Sequence, residues 1–302
     1  MSSRDERRLR SSRAETPQPN SDACCTVRIS GGLGNQLFQY AAGRAISIRT
    51  GARLILETSF FTPSRHRSLE LNQFPVVGSF EKHPAQSTLM RTLRKLIGST
   101  ADRNETWKES EFHYEDSFER VSVPVILEGY FQSWRYFAGC QDVIRGELSA
   151  PTPRNLETRD LGMQMRDQQA VALHVRRGDY VSNPKARSIY AECPMDYYRR
   201  AMDMMPCRSP VVVFSDDPEW ARNNVPGVRN LIFPNSNSES SALSDLWLMS
   251  QAWHHIIANS TFSWWGAWLA GEAKGLTVAP RKWFNDPAVR DSDLFPPSWQ
   301  RI

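Results

Sequence analysis

Ala170-Val171-Ala172-Leu173-His174-Val175 is a nearly unbroken apolar run that ends on Arg176-Arg177-Gly178-Asp179-Tyr180. A short run with no polar alternation is what a parallel strand covered on both faces looks like. Pro210-Val211-Val212-Val213-Phe214-Ser215 repeats the pattern. Leu231-Ile232-Phe233 is a shorter third run, His255-Ile256-Ile257-Ala258 a fourth and Leu276-Thr277-Val278-Ala279 a fifth. Helical stretches are expected between them, over residues 196–204, 219–223, 241–252 and 262–271. Strands alternating with helices predict an α/β doubly wound sheet.

The pattern starts earlier in the chain as well. Thr26-Val27-Arg28-Ile29-Ser30 reads as a strand and Gly31-Gly32-Leu33-Gly34-Asn35 as a glycine loop. Leu37, Phe38, Ala41, Ala42, Ala45 and Ile48 then recur at helical spacing. Arg53-Leu54-Ile55-Leu56-Glu57 reads as the next strand. The middle is less regular. Residues 87–97 are expected to be helical, 107–118 are aromatic and acidic, Val125 to Tyr130 is a strand running into a loop, and 133–148 is helical. Pro151 and Pro153 mark a linker over residues 150–156. The organisation expected is a polar tail over residues 1–23, one Rossmann-like unit over 24–150 and a second over 151–302.

Composition narrows the function classes. The chain has 302 residues, 40% hydrophobic and 23% charged, as a globular protein does. Net charge is +4, too mild to imply nucleic acid. Arg4, Arg7, Arg8, Arg10 and Arg13 crowd into the tail and read as a solvated, disordered run. The five cysteines form no C-x-x-C and no paired spacing, which argues against a zinc site or a disulfide framework. No stretch approaches the roughly 20 apolar residues of a membrane helix, and the first residues lack a signal-peptide core. A cytoplasmic enzyme is the expectation, with at most peripheral contact between the basic tail and an anionic membrane surface. The sequons at Asn104 and Asn259 carry no weight without a secretion signal.

The polar clusters each follow a strand's C-terminal end, the edge where open α/β sheets bind ligands. His174, Arg176, Arg177 and Asp179 follow one strand; Ser215, Asp216 and Asp217 another; Asn259, Ser260, Thr261 and Ser263 a third. Adjacent arginines at a strand end suit phosphate oxygens; the alternative is a surface pair bridged to carboxylates such as Asp179. Ser260 is a natural N-cap, and a helix N-terminus is also an anion site. Asp216 and Asp217 suit a metal, a base or a ribose, or Asp217 simply caps the helix opened by Pro218. The loop Gly31–Asn35 has Leu37 where a dinucleotide fingerprint needs its third glycine, so it is weak as a nicotinamide site. Trp264, Trp265 and Trp268 read as core.

With these clusters on the page, the chain resembles the α-1,2-fucosyltransferases of glycosyltransferase family 11, in a bacterial type without a membrane anchor. The resemblance is carried by Gly31-Gly32-Leu33-Gly34-Asn35-Gln36-Leu37-Phe38-Gln39-Tyr40-Ala41, His174 to Tyr180, Phe214-Ser215-Asp216-Asp217 and Asn259-Ser260-Thr261-Phe262-Ser263-Trp264-Trp265. Phe112-His113-Tyr114 and Gly129-Tyr130-Phe131-Gln132 share it. It runs from about Val27 to the C-terminus. It implies a GT-B architecture, two Rossmann-like domains facing across a cleft, and inverting, metal-independent transfer of fucose from GDP-β-L-fucose to a glycan acceptor containing β-galactose. No cofactor beyond the donor and no metal ligand is expected. Arg176 would clamp the phosphate with Ser260, Thr261 and Ser263 assisting, and Arg177 would either join it or brace the loop. Asp216 and His174 would hold guanine or ribose. Gly34 and Asn35 would approach from the opposite domain, and Asp179 or His174 would take the acceptor's proton. The competing readings are a transferase of the same fold using another nucleotide sugar, a non-catalytic carbohydrate-binding protein suggested by the ten tryptophans, and a nicotinamide-linked oxidoreductase.

Overall fold

The computed structural model describes residues 23–64, 67–82, 105–178, 188–225, 231–234, 242–271 and 275–302. The expected helix over 87–97, the N-terminal tail and Asp179 lie outside the described residues. Two parallel sheets organise the chain. The first holds β1 (Cys24–Arg28), β2 (Arg53–Glu57), β3 (Ser79–Glu81), β4 (Glu105–Lys108) and β5 (Val125–Glu128), in the order β3-β2-β1-β5-β4. The second holds β6 (Val171–Val175), β7 (Val211–Ser215), β8 (Leu231–Ile232), β9 (His254–Ile256), β10 (Thr277–Ala279) and β11 (Gln300–Arg301), in the order β11-β10-β9-β6-β7-β8. Every pairing within both is parallel.

The strand order decides where a site can sit. The chain runs outward one way from β1 through β2 to β3, then returns with β5 on β1's other side. It runs outward from β6 to β8, then returns with β9 beside β6. Each reversal leaves a crevice at the strands' carboxyl ends, between β1 and β5 and between β6 and β9.

The second sheet explains its own sequence. Val171, Leu173 and Val175 pack with Tyr197, Tyr198, Ala201 and Met202 of a helix over Met195–Asp203. Ala170, Ala172, Val212 and Phe214 join the other core, under helices Ala242–Gln251 and Thr261–Leu269. Both faces are covered, so alternation has nothing polar to show. In chain order the helices are α1 (Leu33–Thr50), α2 (Gln141–Glu147), α3 (Leu156–Asp167), α4 (Met195–Asp203), α5 (Pro218–Asn224), α6 (Ala242–Gln251) and α7 (Thr261–Leu269).

One apolar core spans both sheets. Its seam is aromatic. Phe38 of α1 lies 4.6 Å and 4.9 Å, centroid to centroid, from Trp264 and Trp265 of α7. Phe137, from the 3-10 turn Trp134–Cys140 ahead of α2, stacks on Trp265 at 5.5 Å. Trp268 closes the cluster edge-on to Phe137 at 5.3 Å. The tryptophans are core, as expected, and all three are buried. Their polar edges are partly tied down: Trp265 Nε1 donates to Gly34 O at 3.0 Å and Trp264 Nε1 to Leu294 O at 2.8 Å. Two parallel sheets facing a common cleft is the GT-B-like α/β architecture that the resemblance implied.

Several elements differ from expectation. The helix α3 follows the proline-bearing segment directly, started by Asn155, whose side chain accepts from Thr158 N. Its only buried residues are Gly162 and Met165, too few to print a helical stripe. Strands β3 and β4 are largely exposed and carry no alternation. All five cysteines are free. Among the described residues no helix is long and apolar enough to cross a membrane.

Candidate active site

A cleft of about 400 Å³ opens where the loops of both crevices converge. After β1 come Gly32, Leu33, Gly34 and Asn35; after β5 comes Gln132. From the other sheet come His174 and Arg176 of β6 and its loop, Asp216 after β7, and Asn259, Ser260 and Thr261 after β9. Topology therefore brings together residues far apart in the chain, such as Asn35 and Thr261, 226 positions apart.

The start of α1 meets the start of α7 at close range. A methyl on Gly34 would lie 2.5 Å from the backbone carbon of Thr261, so no larger residue fits without moving the chain. Asn35 Oδ1 accepts from Thr261 Oγ1 at 3.2 Å and from Gln132 Nε2 at 3.1 Å. Asn35 thus stands at the joint between the walls.

The arginines divide their work. Arg176 Nη1 pairs with Asp216 Oδ2 at 2.8 Å and borders the cleft. Asp216 Oδ1 accepts from the backbone N–H of Arg177 at 2.9 Å. Both oxygens of Asp216 are therefore engaged in fixing this loop. Arg177 turns elsewhere: its guanidinium lies 3.8 Å over the Trp220 ring and its Nε 3.4 Å from Asp217 Oδ2. Of the two expectations for Arg177, bracing the loop matches this placement, and the residue does not line the cleft. Asp217 also caps α5, accepting from Trp220 N at 3.1 Å with Pro218 at the first helical position.

Ser260 occupies the N-cap of α7 but its side chain makes no capping bond. It lines the cleft beside the N–H groups of the helix's first turn, the end of a helix where anions are held. Ser263 behaves differently. It is buried, off the cleft, and its hydroxyl donates back to Ala258 O and Ser260 O. Asn259 is structural as well: its Nδ2 holds Ala191 O and Trp283 O, and at 1% exposure it is closed to modification.

His174 lies at the end of β6 with 5% exposure, and its Nδ1 has no hydrogen-bond partner among the described residues. Burial, with help from the Arg176 charge, pushes its pKa down from 6.5 to about 3. It is a neutral imidazole at physiological pH, so its ring offers hydrogen bonds rather than charge.

The sequence reading missed four polar groups on the cleft. Arg67 and Glu70 follow β2, and Gln36 secures them: buried in the first turn of α1, it donates to Ser68 O and accepts from the N–H groups of Glu70 and Leu71. Burial raises the Glu70 carboxyl, with Arg67 opposing. Asp245 sits in the first turn of α6. Burial alone pushes its pKa up from 3.8 to about 6, and it bonds to no described residue. Gln132 is the fourth. Its signal was available, since it follows a strand end like the others; Asp245 sits within a helix, and nothing in its neighbours marks it.

These walls can hold a charged, hydroxyl-rich ligand between cations and amides. The sequence is 33% identical over 290 residues to an α-1,2-colitosyltransferase of Escherichia coli, covering 91% of this chain and 98% of that protein. It is 31% identical to the O-antigen biosynthesis glycosyltransferase WbnK of E. coli, over 85% of this chain and 93% of that one. It is 27% identical to galactoside α-(1,2)-fucosyltransferase 1 of Plecturocebus brunneus, over 85% and 69%. The family model described as glycosyl transferase family 11 matches residues 9–302, so the chain belongs to that family.

Proposed function

We propose that the chain transfers L-fucose from GDP-β-L-fucose to O2 of a β-galactoside, with inversion and with no metal in the reaction. Residues 151–302 form the donor side and 24–150 the acceptor side. The observation that carries the reading is Arg176, oriented by Asp216 beside the uncapped start of α7. As the acceptor oxygen bonds to the anomeric carbon, the bond from that carbon to the diphosphate breaks and its electron pair leaves with GDP. The charge grows on the β-phosphate. A fixed guanidinium, the N–H groups of α7 and the Ser260 hydroxyl are preorganised to meet it, while the Thr261 hydroxyl is spent on Asn35. They supply the countercharge a metal would otherwise bring.

His174 and Asp245 suit the nucleoside. A buried carboxylate with no hydrogen-bond partner among the described residues matches the paired N–H donors on one edge of guanine, and a neutral imidazole on the same cleft adds a further hydrogen bond. Asp216 contributes by holding Arg176. Asp179, next to the arginines in sequence, remains the proposed base for the acceptor proton, since His174 is too weakly basic at a pKa of about 3. Donor discrimination has one specific rival. The relative at 33% identity is named for colitose, the 3-deoxy counterpart of fucose.

The test is product formation from GDP-fucose and lactose in excess EDTA. An α-1,2-fucosylated product is expected. GDP binding without product means a different acceptor. Neither binding nor product overturns the reading. Faster turnover with GDP-colitose in the same assay replaces the donor.

A further inference from the structure

Phe131 adopts φ of 54°, in the left-handed region that a bulky side chain avoids. It is also fully buried, so both its ring and its backbone are fixed. What holds it there is Glu109, which follows β4. The Glu109 carboxylate accepts from Tyr130 N at 2.7 Å and from Phe131 N at 3.0 Å. The approach is close: a methyl on Gly129 would lie 2.5 Å from Glu109 Cβ. Gln39 of α1 secures the same turn, donating to Gly129 O at 3.0 Å.

The next residue is Gln132, 2% exposed, whose amide donates to Asn35 Oδ1. After it, Ser133 donates across to Asp293 O at 2.7 Å, on the segment ahead of β11. The Asn35 carbonyl therefore receives one donor from this turn and one from Thr261 of α7. With the oxygen held by two donors, the Asn35 N–H groups are directed away from them. No described residue accepts these N–H groups.

We infer that Glu109 is a positioning residue for transfer: through the Tyr130–Phe131 backbone it sets Gln132, and Gln132 sets the Asn35 amide at the joint of the cleft. The inference rests on the proposed reading, in which Asn35 meets the reacting sugars. Glu109 itself borders no part of the cleft. Burial raises its pKa from 4.5 to about 7, the strain of keeping an acid in this place.

The experiment is a double-mutant cycle in full-length protein, read by steady-state kinetics and by GDP binding in calorimetry. Wild-type turnover of GDP-fucose is measured first; its absence defeats the functional reading and not the linkage between these residues. With turnover present, Glu109→Ala and Gln132→Ala are each expected to lower kcat about tenfold while the GDP dissociation constant stays within about twofold. The double variant is expected to be no slower than the slower single, because both act through one amide. Glu109→Gln keeps an acceptor oxygen at the two N–H groups and is expected to restore most of the Glu109→Ala loss. Multiplying losses in the double variant, a GDP affinity that falls in step with kcat, or an unaltered kcat in Gln132→Ala would each overturn the inference. Gln132→Ala and Glu109→Gln decide the matter if Glu109→Ala does not fold.

Discussion

The two walls of the cleft solve the same problem with different chemistry. On the wall built by the second sheet, charge is fixed by charge: Asp216 holds Arg176, and Asp217 with the Trp220 ring holds Arg177. On the wall built by the first sheet, the joint is set by neutral amides, with Asn35 Oδ1 accepting from Gln132 on one side and from the Thr261 hydroxyl on the other. In the proposed reading, a guanidinium already held by a carboxylate, as Arg176 is, keeps its direction when a diphosphate arrives, so stabilising the leaving group needs no rearrangement. Amides carry no net charge and rank ligands by where their hydroxyls lie. In the proposed reading, the contrast gives strength of catalysis to one wall and geometry to the other.

The contrast can be broken first at Arg176. Arg176→Ala is expected to lower kcat/KM by about 100-fold or more with the fold retained, checked by kinetics alongside circular dichroism. Near-normal turnover would remove the phosphate clamp. Next is Gly34→Ala, which sets a methyl against the Thr261 backbone. A loss of about 1–3 kcal/mol in urea denaturation is expected, and unchanged stability would show that the walls have room to part.

The third prediction sharpens the nucleoside side through pH. Asp245 has its folded pKa raised from 3.8 to about 6. If its ionised form holds the base, GDP affinity should fall about tenfold between pH 7 and pH 5, because binding favours the deprotonated acid. Free-protein stability moves the opposite way. A raised acid stabilises the fold most below its unfolded pKa, and that contribution fades as pH rises from 3.8 to about 6. Calorimetric titration at several pH values, with Asp245→Asn as reference, checks the first; a pH-independent GDP affinity would release Asp245 from the role. The smallest effect belongs to Asp217→Ala, which removes the α5 cap and the Arg177 contact. About 1 kcal/mol of stability is expected to go, with catalysis little changed if Arg177 only braces.

The sequence showed the second sheet more fully than the first for a physical reason. Strands β6 and β7 are buried on both faces and print unbroken apolar runs. Strand β4 has no fully buried residue, and β3 is mostly exposed, so neither left a pattern. Helix α3, begun by an exposed Leu156, was hidden in the same way. At the site, residues on loops at strand ends were legible because the fold class says where ligands go. His174, Arg176, Asp216, Ser260, Thr261, Gly34 and Asn35 all reach the cleft. Ser263 lies off the cleft, and spacing alone does not show that its hydroxyl folds back on Ser260 O. Arg67 and Glu70 depend on Gln36 reaching over from α1, a contact between residues more than 30 positions apart that no local pattern announces.

The aromatic seam has a consequence for how the molecule comes apart. Phe38, Phe137, Trp264, Trp265 and Trp268 belong equally to both sheets' core. Separating the halves would lay those rings open to water, at a cost of the order of 1.5–3 kcal/mol for each large side chain exposed. The second sheet keeps a core of its own on its other face, but its face toward the first sheet and the whole described core of the first sheet belong to the shared interior. Denaturation should therefore be a single cooperative event, with tryptophan fluorescence and far-ultraviolet circular dichroism reporting the same midpoint.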